Sequence, residues 1–156
     1  MPNDTPSPPN GNNGGAGFWP PTCQEDMAQR LIGAGMRPTR QRLALAALLF
    51  GNGHRHVSAE QLHGEAVMAC VPVSLATVYN TLNQFRDAGL LRDVVVEPGC
   101  AYFDTNIEDH HHFFHEGSGE LQDIAGTLLR LDNLPDLPPG TRVARVDVII
   151  RITDEA

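Results

Sequence analysis

Apolar positions recur at three- and four-residue spacing through the first half of the chain, then at every second residue through much of the rest. That switch predicts short helices followed by strands. Met27, Leu31 and Ile32 keep helical spacing behind Thr22-x-x-Glu25, a capping box, and Gly33 and Gly35 end that helix. Thr39, just after Pro38, caps a second helix with Leu43, Ala46, Ala47 and Phe50 as its apolar stripe and Gly51 as its stop. Ser58-x-x-Gln61 is another capping box, opening a helix through Leu62, Ala66 and Val67 to about Cys70. Ser74 caps a fourth, with Leu75, Val78, Tyr79, Leu82 and Phe85 on one face and Gly89 beyond its end. Residues 90–96 then read as a strand, Glu97-Pro98-Gly99 as a turn and 101–104 as the returning strand.

Short helices followed by a tight hairpin form a winged helix-turn-helix pattern. The remainder is strand-rich. Residues 110–115 and 120–124 flank a Gly117-Ser118-Gly119 turn, and 142–152 alternate and are β-branched, as a last strand should be. About 50 residues is small for an independent core, so this half is expected to gain stability by forming a homodimer. The expected division is a disordered tail at 1–21, a DNA-binding domain at 22–104 and a dimerisation and sensing domain at 105–156. The tail is rich in Pro, Gly and Asn; Phe18 and Trp19 at its end are expected to pack on the first helix.

Composition changes this picture only locally. The chain is 41% apolar, enough to bury a core, and no apolar run approaches the roughly 20 residues of a membrane span. Cys23, Cys70 and Cys100 are widely spaced and form no C-x-x-C pair, which fits reduced cysteines in a cytoplasmic protein. A net charge of −8 opposes general nucleic-acid binding. The excess is C-terminal, however: residues 24–104 carry seven arginines and eight acids, residues 105–156 four and ten. Residues 30–42 hold four arginines and no acid, a local cluster able to meet phosphates.

Two patches carry chemistry. The polar face of the fourth helix offers Ser74, Thr77, Asn80, Thr81, Asn83 and Gln84, groups suited to base edges and phosphates in a major groove. Arg37, Arg40, Arg42 and Arg86 suit phosphates or a narrow minor groove, with Thr39 inside the same cluster. The second patch is His110-His111-His112 with His115 three residues on. On a strand His110 and His112 share one face, His111 and His115 the other, so one strand could serve two sites. Asp123 on the partner strand, Asp104 at the end of the hairpin and His56 ahead of a helix cap are further donors. Imidazole mixed with carboxylate suits Fe(II), Mn(II) or Zn(II), not soft Cu(I). A site joining His56 to the later histidines would set the angle between the halves. No H-E-x-x-H, G-x-S-x-G, P-loop or Rossmann signature marks an enzyme.

Arg37-Pro-Thr-Arg-Gln-Arg42, His56-Val-Ser-Ala-Glu-Gln-Leu62, Ser74-Leu-Ala-Thr-Val-Tyr-Asn-Thr-Leu82, Tyr102-Phe-Asp104 and the histidine run closely resemble the ferric uptake regulator family over about 24–152. The resemblance implies an α+β fold, an N-terminal winged helix-turn-helix followed by a small α/β dimerisation domain, in a dimeric, metal-responsive regulator of double-stranded DNA operators. It places Tyr79 and Asn80 where the family contacts bases and Arg37 near the minor groove. It puts His56, Asp104, His110, His112 and Asp123 at the regulatory metal, and His111 near a second, less uniform site. His115 and Ser118 stand where the family often has a zinc-holding C-x-x-C, so no structural tetrathiolate zinc is expected. That loss, with Asp-His-His-His-Phe-Phe, is similar to the iron response regulator branch. Membership there implies control of haem synthesis and of iron uptake or storage, a response to haem, and a haem-delivering protein as a partner; imidazole is a competent axial ligand, which makes His110, His111 and His112 the haem candidates. Cys23 is followed by Gln24 rather than by the proline of that branch's haem motif. A direct Fe(II), Mn(II) or Zn(II) sensor is the competing reading of the same residues.

Overall fold

The computed structural model describes residues 21–130 and 132–155. Nearly all of the expected tail, with Phe18 and Trp19, lies outside the described residues. Helix α1 spans Pro21–Gly33. Thr22 therefore sits inside the first turn rather than capping it. Helix α2, Arg40–Phe50, begins as expected, with the Thr39 hydroxyl accepting from the Arg42 amide. Helix α3, Ala59–Met68, opens on a complete capping box: the Gln61 amide donates to Ser58 Oγ, and the Ser58 amide to the Gln61 side chain. Cys70 turns the chain beyond it at φ +56. Ser74 caps helix α4, Leu75–Asp87, and Gly89 at φ +77 ends it, in a left-handed conformation that glycine adopts without steric cost.

Packing rotates two of these helices from their expected facing. In α2 the deepest side chains are Leu45 and Leu49, with Ala46 and Ala47, while Leu43 and Phe50 only border the core. In α4 the buried stripe is Val78, Thr81, Leu82 and Phe85. Thr81 thus leaves the polar face, and Leu75 and Tyr79 are exposed, as is Val67 on α3. Leu31, Leu45, Leu49, Leu62, Val78, Leu82 and Phe85 meet in one core, closed from below by Val57, Leu91 and Phe103.

A short strand that the sequence pattern did not reveal, β1 at His56–Val57, pairs antiparallel with β3, Cys100–Asp104, which also pairs with β2, Arg92–Glu97. Its register sets His56 opposite Asp104. The second sheet has β4, His110–His115, in the middle. β5, Glu120–Ala125, runs antiparallel on one side and β6, Ile149–Ile152, parallel on the other. The expected strand over 142–152 is thus paired only in its last four residues. Pairing with β4 begins at His112 opposite Ile149, and the His112 amide donates to the Val148 carbonyl at 3.0 Å.

Fixed registers decide which side chains face the first sheet: His110, His112, Phe114, Leu121, Asp123 and Ile149 share one face. The β2–β3 hairpin lies on that face. Val94 and Val96 pack on Phe114 and Leu121, bordered by Tyr102, Cys100 and Ile149. Tyr102 donates to the Gly119 carbonyl at 2.9 Å, and Arg151 reaches the Val96 carbonyl. Gly126, just past β5, is held so close that a methyl group there would stand 2.9 Å from the Asp109 carbonyl oxygen. Among the described residues no helix is long and apolar enough to cross a membrane.

Candidate metal centre and DNA-facing surface

Beyond the apolar end of this seam, the same two faces bring five polar side chains together. His56 comes from β1, Asp104 from β3, His110 and His112 from β4 and Asp123 from β5. One ligand-type atom from each lies within 4.8 Å of all the others. Asp104 Oδ2 is 2.7 Å from His110 Nε2, 3.1 Å from His112 Nε2 and 3.3 Å from His56 Nε2. Asp123 Oδ1 is 2.8 Å from His56 Nε2 and 3.5 and 3.6 Å from the other two. The two β4 nitrogens are 2.9 Å apart. Asp104 is fully buried, while Asp123 is one-third exposed and forms the side open to water.

Hydrogen bonding alone leaves this cluster poorly satisfied. His56 Nε2 is buried and, although close to both carboxylates, makes no well-directed hydrogen bond. The donor separations, from 2.7 to 3.6 Å, bracket the roughly 3.0–3.4 Å expected between ligands bonded at about 2.1 Å to a common centre. A mixed imidazole and carboxylate set therefore fits a divalent cation of the Fe, Mn or Zn type. Burial pushes the Asp104 carboxyl up, but hydrogen bonds from His112 and the Asn106 amide, with the nearby His56 charge, hold it well below the usual carboxylate range. For His56 burial favours the neutral ring, and Asp104 and Asp123 outweigh it, raising its pKa.

The surrounding groups orient the donors. His110 Nδ1 is 2.6 Å from the Glu108 carbonyl, which can only accept, so Nδ1 carries a proton and Nε2 is the nitrogen turned to the cluster. The buried Arg92 guanidinium donates to that same carbonyl and, at 2.7 Å, to Asp147. Asn106 spans the two carboxylates. Its amide N–H donates to Asp104 Oδ1 at 2.8 Å and its side chain to Asp123 Oδ2 at 3.2 Å. Sequence reading missed both positioning residues. Arg92 had a signal, a charge at an inward position of a strand otherwise lined by Val94 and Val96.

His111 does not join His110 and His112. It lies on the opposite face, where its Nδ1 accepts from the Val148 amide at 3.3 Å. The three consecutive histidines therefore do not converge, and among the described residues only the five-residue cluster groups metal-type donors, with neither His111 nor His115 in it.

On the other side of the helical core, Ser74, Tyr79 and Asn80 are exposed on α4, with Thr77 partly so. Ser74 Oγ accepts from the Thr77 amide at 3.1 Å. Arg42 is engaged within the protein: its guanidinium donates to the Arg37 carbonyl at 2.9 Å and to Gln84 on α4 at 2.8 Å. Arg86 pairs with its neighbour Asp87. Gln41 donates to the Pro72 carbonyl, tying α2 to the turn before α4.

The ferric uptake regulator family model matches residues 33–132. Over 101 residues, 64% of this chain and 67% of the relative, the chain is 32% identical to the peroxide-responsive repressor PerR of Staphylococcus aureus strain USA300. The ferric uptake regulator of Vibrio cholerae superposes with a TM-score of 0.63 at 25% identity, over 81% of this chain and 98% of that one. That of Pseudomonas aeruginosa, solved with manganese, shares the fold with a TM-score of 0.64 at 24% identity, over 83% and 98%. Helices leading into a β-hairpin, a C-terminal sheet and a His/Asp cluster between them define a metal-responsive transcription regulator. The chain belongs to the ferric uptake regulator family.

Proposed function

We propose that this chain is a dimeric DNA-binding regulator whose grip on a duplex depends on a divalent cation held by His56, Asp104, His110, His112 and Asp123. The convergence of five donors from four strands carries this reading. β1 and β3 belong to the sheet under the helices, β4 and β5 to the other, so one site draws on both. A bound divalent cation would supply the positive charge that offsets the two carboxylates. The chain's own residues do the rest. Asn106 and Arg92 hold the donors in place, and the docked hairpin passes their position to the helices. α4 then presents Ser74, Thr77, Tyr79 and Asn80 to a major groove, with Arg37, Thr39, Arg40 and Arg42 beside the phosphates. Cation binding favours whichever inter-sheet geometry completes the site, which shifts the population competent for DNA. The working boundary between the two halves falls at Asp104.

The finer choice is between direct metal sensing and the haem response of the iron response regulator branch. The geometry favours direct sensing. His110 and His112 are 4% and 2% exposed and turned into a cluster too tight to offer a face to a porphyrin, and His111 is on the other side of the sheet. The manganese in the Pseudomonas aeruginosa structure supports the same choice. Haem sensing rests on the sequence resemblance alone.

The deciding experiment titrates the metal-free chain with Mn(II), and separately with haem, while following binding to duplexes selected from a random pool. We expect affinity to rise with Mn(II) and fall again on chelation. DNA binding indifferent to metal but released by haem, with a stoichiometric Soret shift, would replace the direct sensor with the haem-responsive one.

A further inference from the structure

Glu60 stands in the first turn of α3, and Tyr79 lies on the exposed side of α4. Tyr79 donates its hydroxyl hydrogen bond to Glu60 Oε1 at 2.6 Å. Other acids on these helices meet cations, Glu65 with Arg55 and Asp87 with Arg86; this one holds a phenol. The bond lowers the Glu60 carboxyl below its ordinary value and raises the Tyr79 phenol, so at neutral pH the direction of donation is settled.

An acid beside the groups that would meet phosphates weakens binding to every DNA sequence alike. Its return must therefore appear as selectivity. With its hydroxyl tied to the neighbouring helix, the Tyr79 ring loses its rotamer freedom before DNA arrives, so ordering it on binding costs less. The polar tip is turned to protein, and what remains outward is the apolar ring, 40% of the residue being exposed. In a major groove the apolar feature that distinguishes one base from another is the thymine methyl group.

We propose that Glu60 is a specificity-determining residue of the DNA-facing surface: it pins the Tyr79 hydroxyl so that the ring's apolar edge meets a thymine methyl. This rests on the reading of α4 as the groove-facing helix. Glu60 acts through Tyr79 and is a positioning residue, not itself a base contact.

The test uses the full chain with Mn(II) and a duplex that it selects from a random-sequence pool. Each thymine is replaced in turn by deoxyuridine, which removes only the methyl group. The wild-type chain should lose about three- to fivefold in affinity at one thymine of each half-site, the loss expected for one buried methyl. Glu60→Ala and Tyr79→Phe should each abolish that sensitivity, and the double variant should do no more than either alone. Glu60→Gln, which keeps an acceptor, should retain the sensitivity while binding all duplexes more tightly. If Glu60→Ala changes affinity uniformly and leaves the deoxyuridine effect intact, the acid is a solvated charge and the proposal fails alone. Absence of a deoxyuridine effect in the wild type also removes it. If the wild-type chain enriches no sequence at all, the DNA-binding reading fails with it.

Discussion

Around Phe85, Leu82 and Leu49 water is excluded by hydrocarbon, and each of these side chains is completely buried. Around Asp104 the groups that exclude water are themselves polar: two imidazoles and a carboxylate nearly as inaccessible as the leucines. The first region needs nothing beyond the chain, because apolar burial is favourable whatever the solution contains. The second gathers the donors proposed to hold a cation, whose mutual arrangement would improve when positive charge is supplied. A molecule with one core of each kind can keep its helices folded while the relation of the two sheets responds to solution conditions. The seam adds a third element, a small apolar cluster of Val94, Val96, Phe114 and Leu121 that joins the two regions without depending on charge.

The comparison can be broken most forcefully from the apolar side. Phe85→Ala should cost about 3–5 kcal/mol of stability, measured by urea unfolding with and without Mn(II), because it empties the middle of the helical core. A loss below about 1 kcal/mol would mean that this core does not carry the fold. His112→Ala should lower Mn(II) affinity by on the order of 100-fold or more while leaving the metal-free unfolding midpoint of the helices nearly in place. A variant that unfolds without metal but binds Mn(II) normally would reverse the two roles. Asn106→Ala touches no proposed ligand atom directly and keeps the backbone bond to Asp104, yet should cost about tenfold in Mn(II) affinity through loss of its side-chain bond to Asp123. Unchanged affinity in a competition titration would show that the Asp123 carboxylate is held by other means. Tyr102→Phe removes one hydrogen bond across the seam and should cost about 1 kcal/mol, with faster amide exchange in β2 and β3. No change in exchange would leave the apolar cluster and the Arg151 bond to the Val96 carbonyl as the ties that matter.

Most of the element order was legible because caps and stops are local chemistry. Thr39, Ser58, Ser74 and Gly89 each act within a few residues of themselves, and the structure places them where their types demand. Rotation of a helix about its own axis was less legible. Residues 43–49 of α2 are all apolar, so spacing alone could not say that Leu45 and Leu49 face inward. In α4 the stripe at 78, 81, 82 and 85 runs through a threonine, whose small side chain fits where Tyr79 would not. β1 is only two residues long and exists because β3 offers it an edge, a tertiary cause with no periodicity to read. The donors His56, Asp104, His110, His112 and Asp123 could be named from residue type and strand alternation. Their supporting groups could not, since Asn106, Arg92 and the Glu108 carbonyl acquire roles only once the segment after β3, the hairpin and β4 are packed together.

Gly126 bears on heredity as well as packing. A single nucleotide change that gives it any side chain would press on the Asp109 backbone, immediately ahead of His110. Such an allele would retain every proposed ligand and every group proposed to face DNA, and is still expected among the metal-blind mutants of a genetic screen.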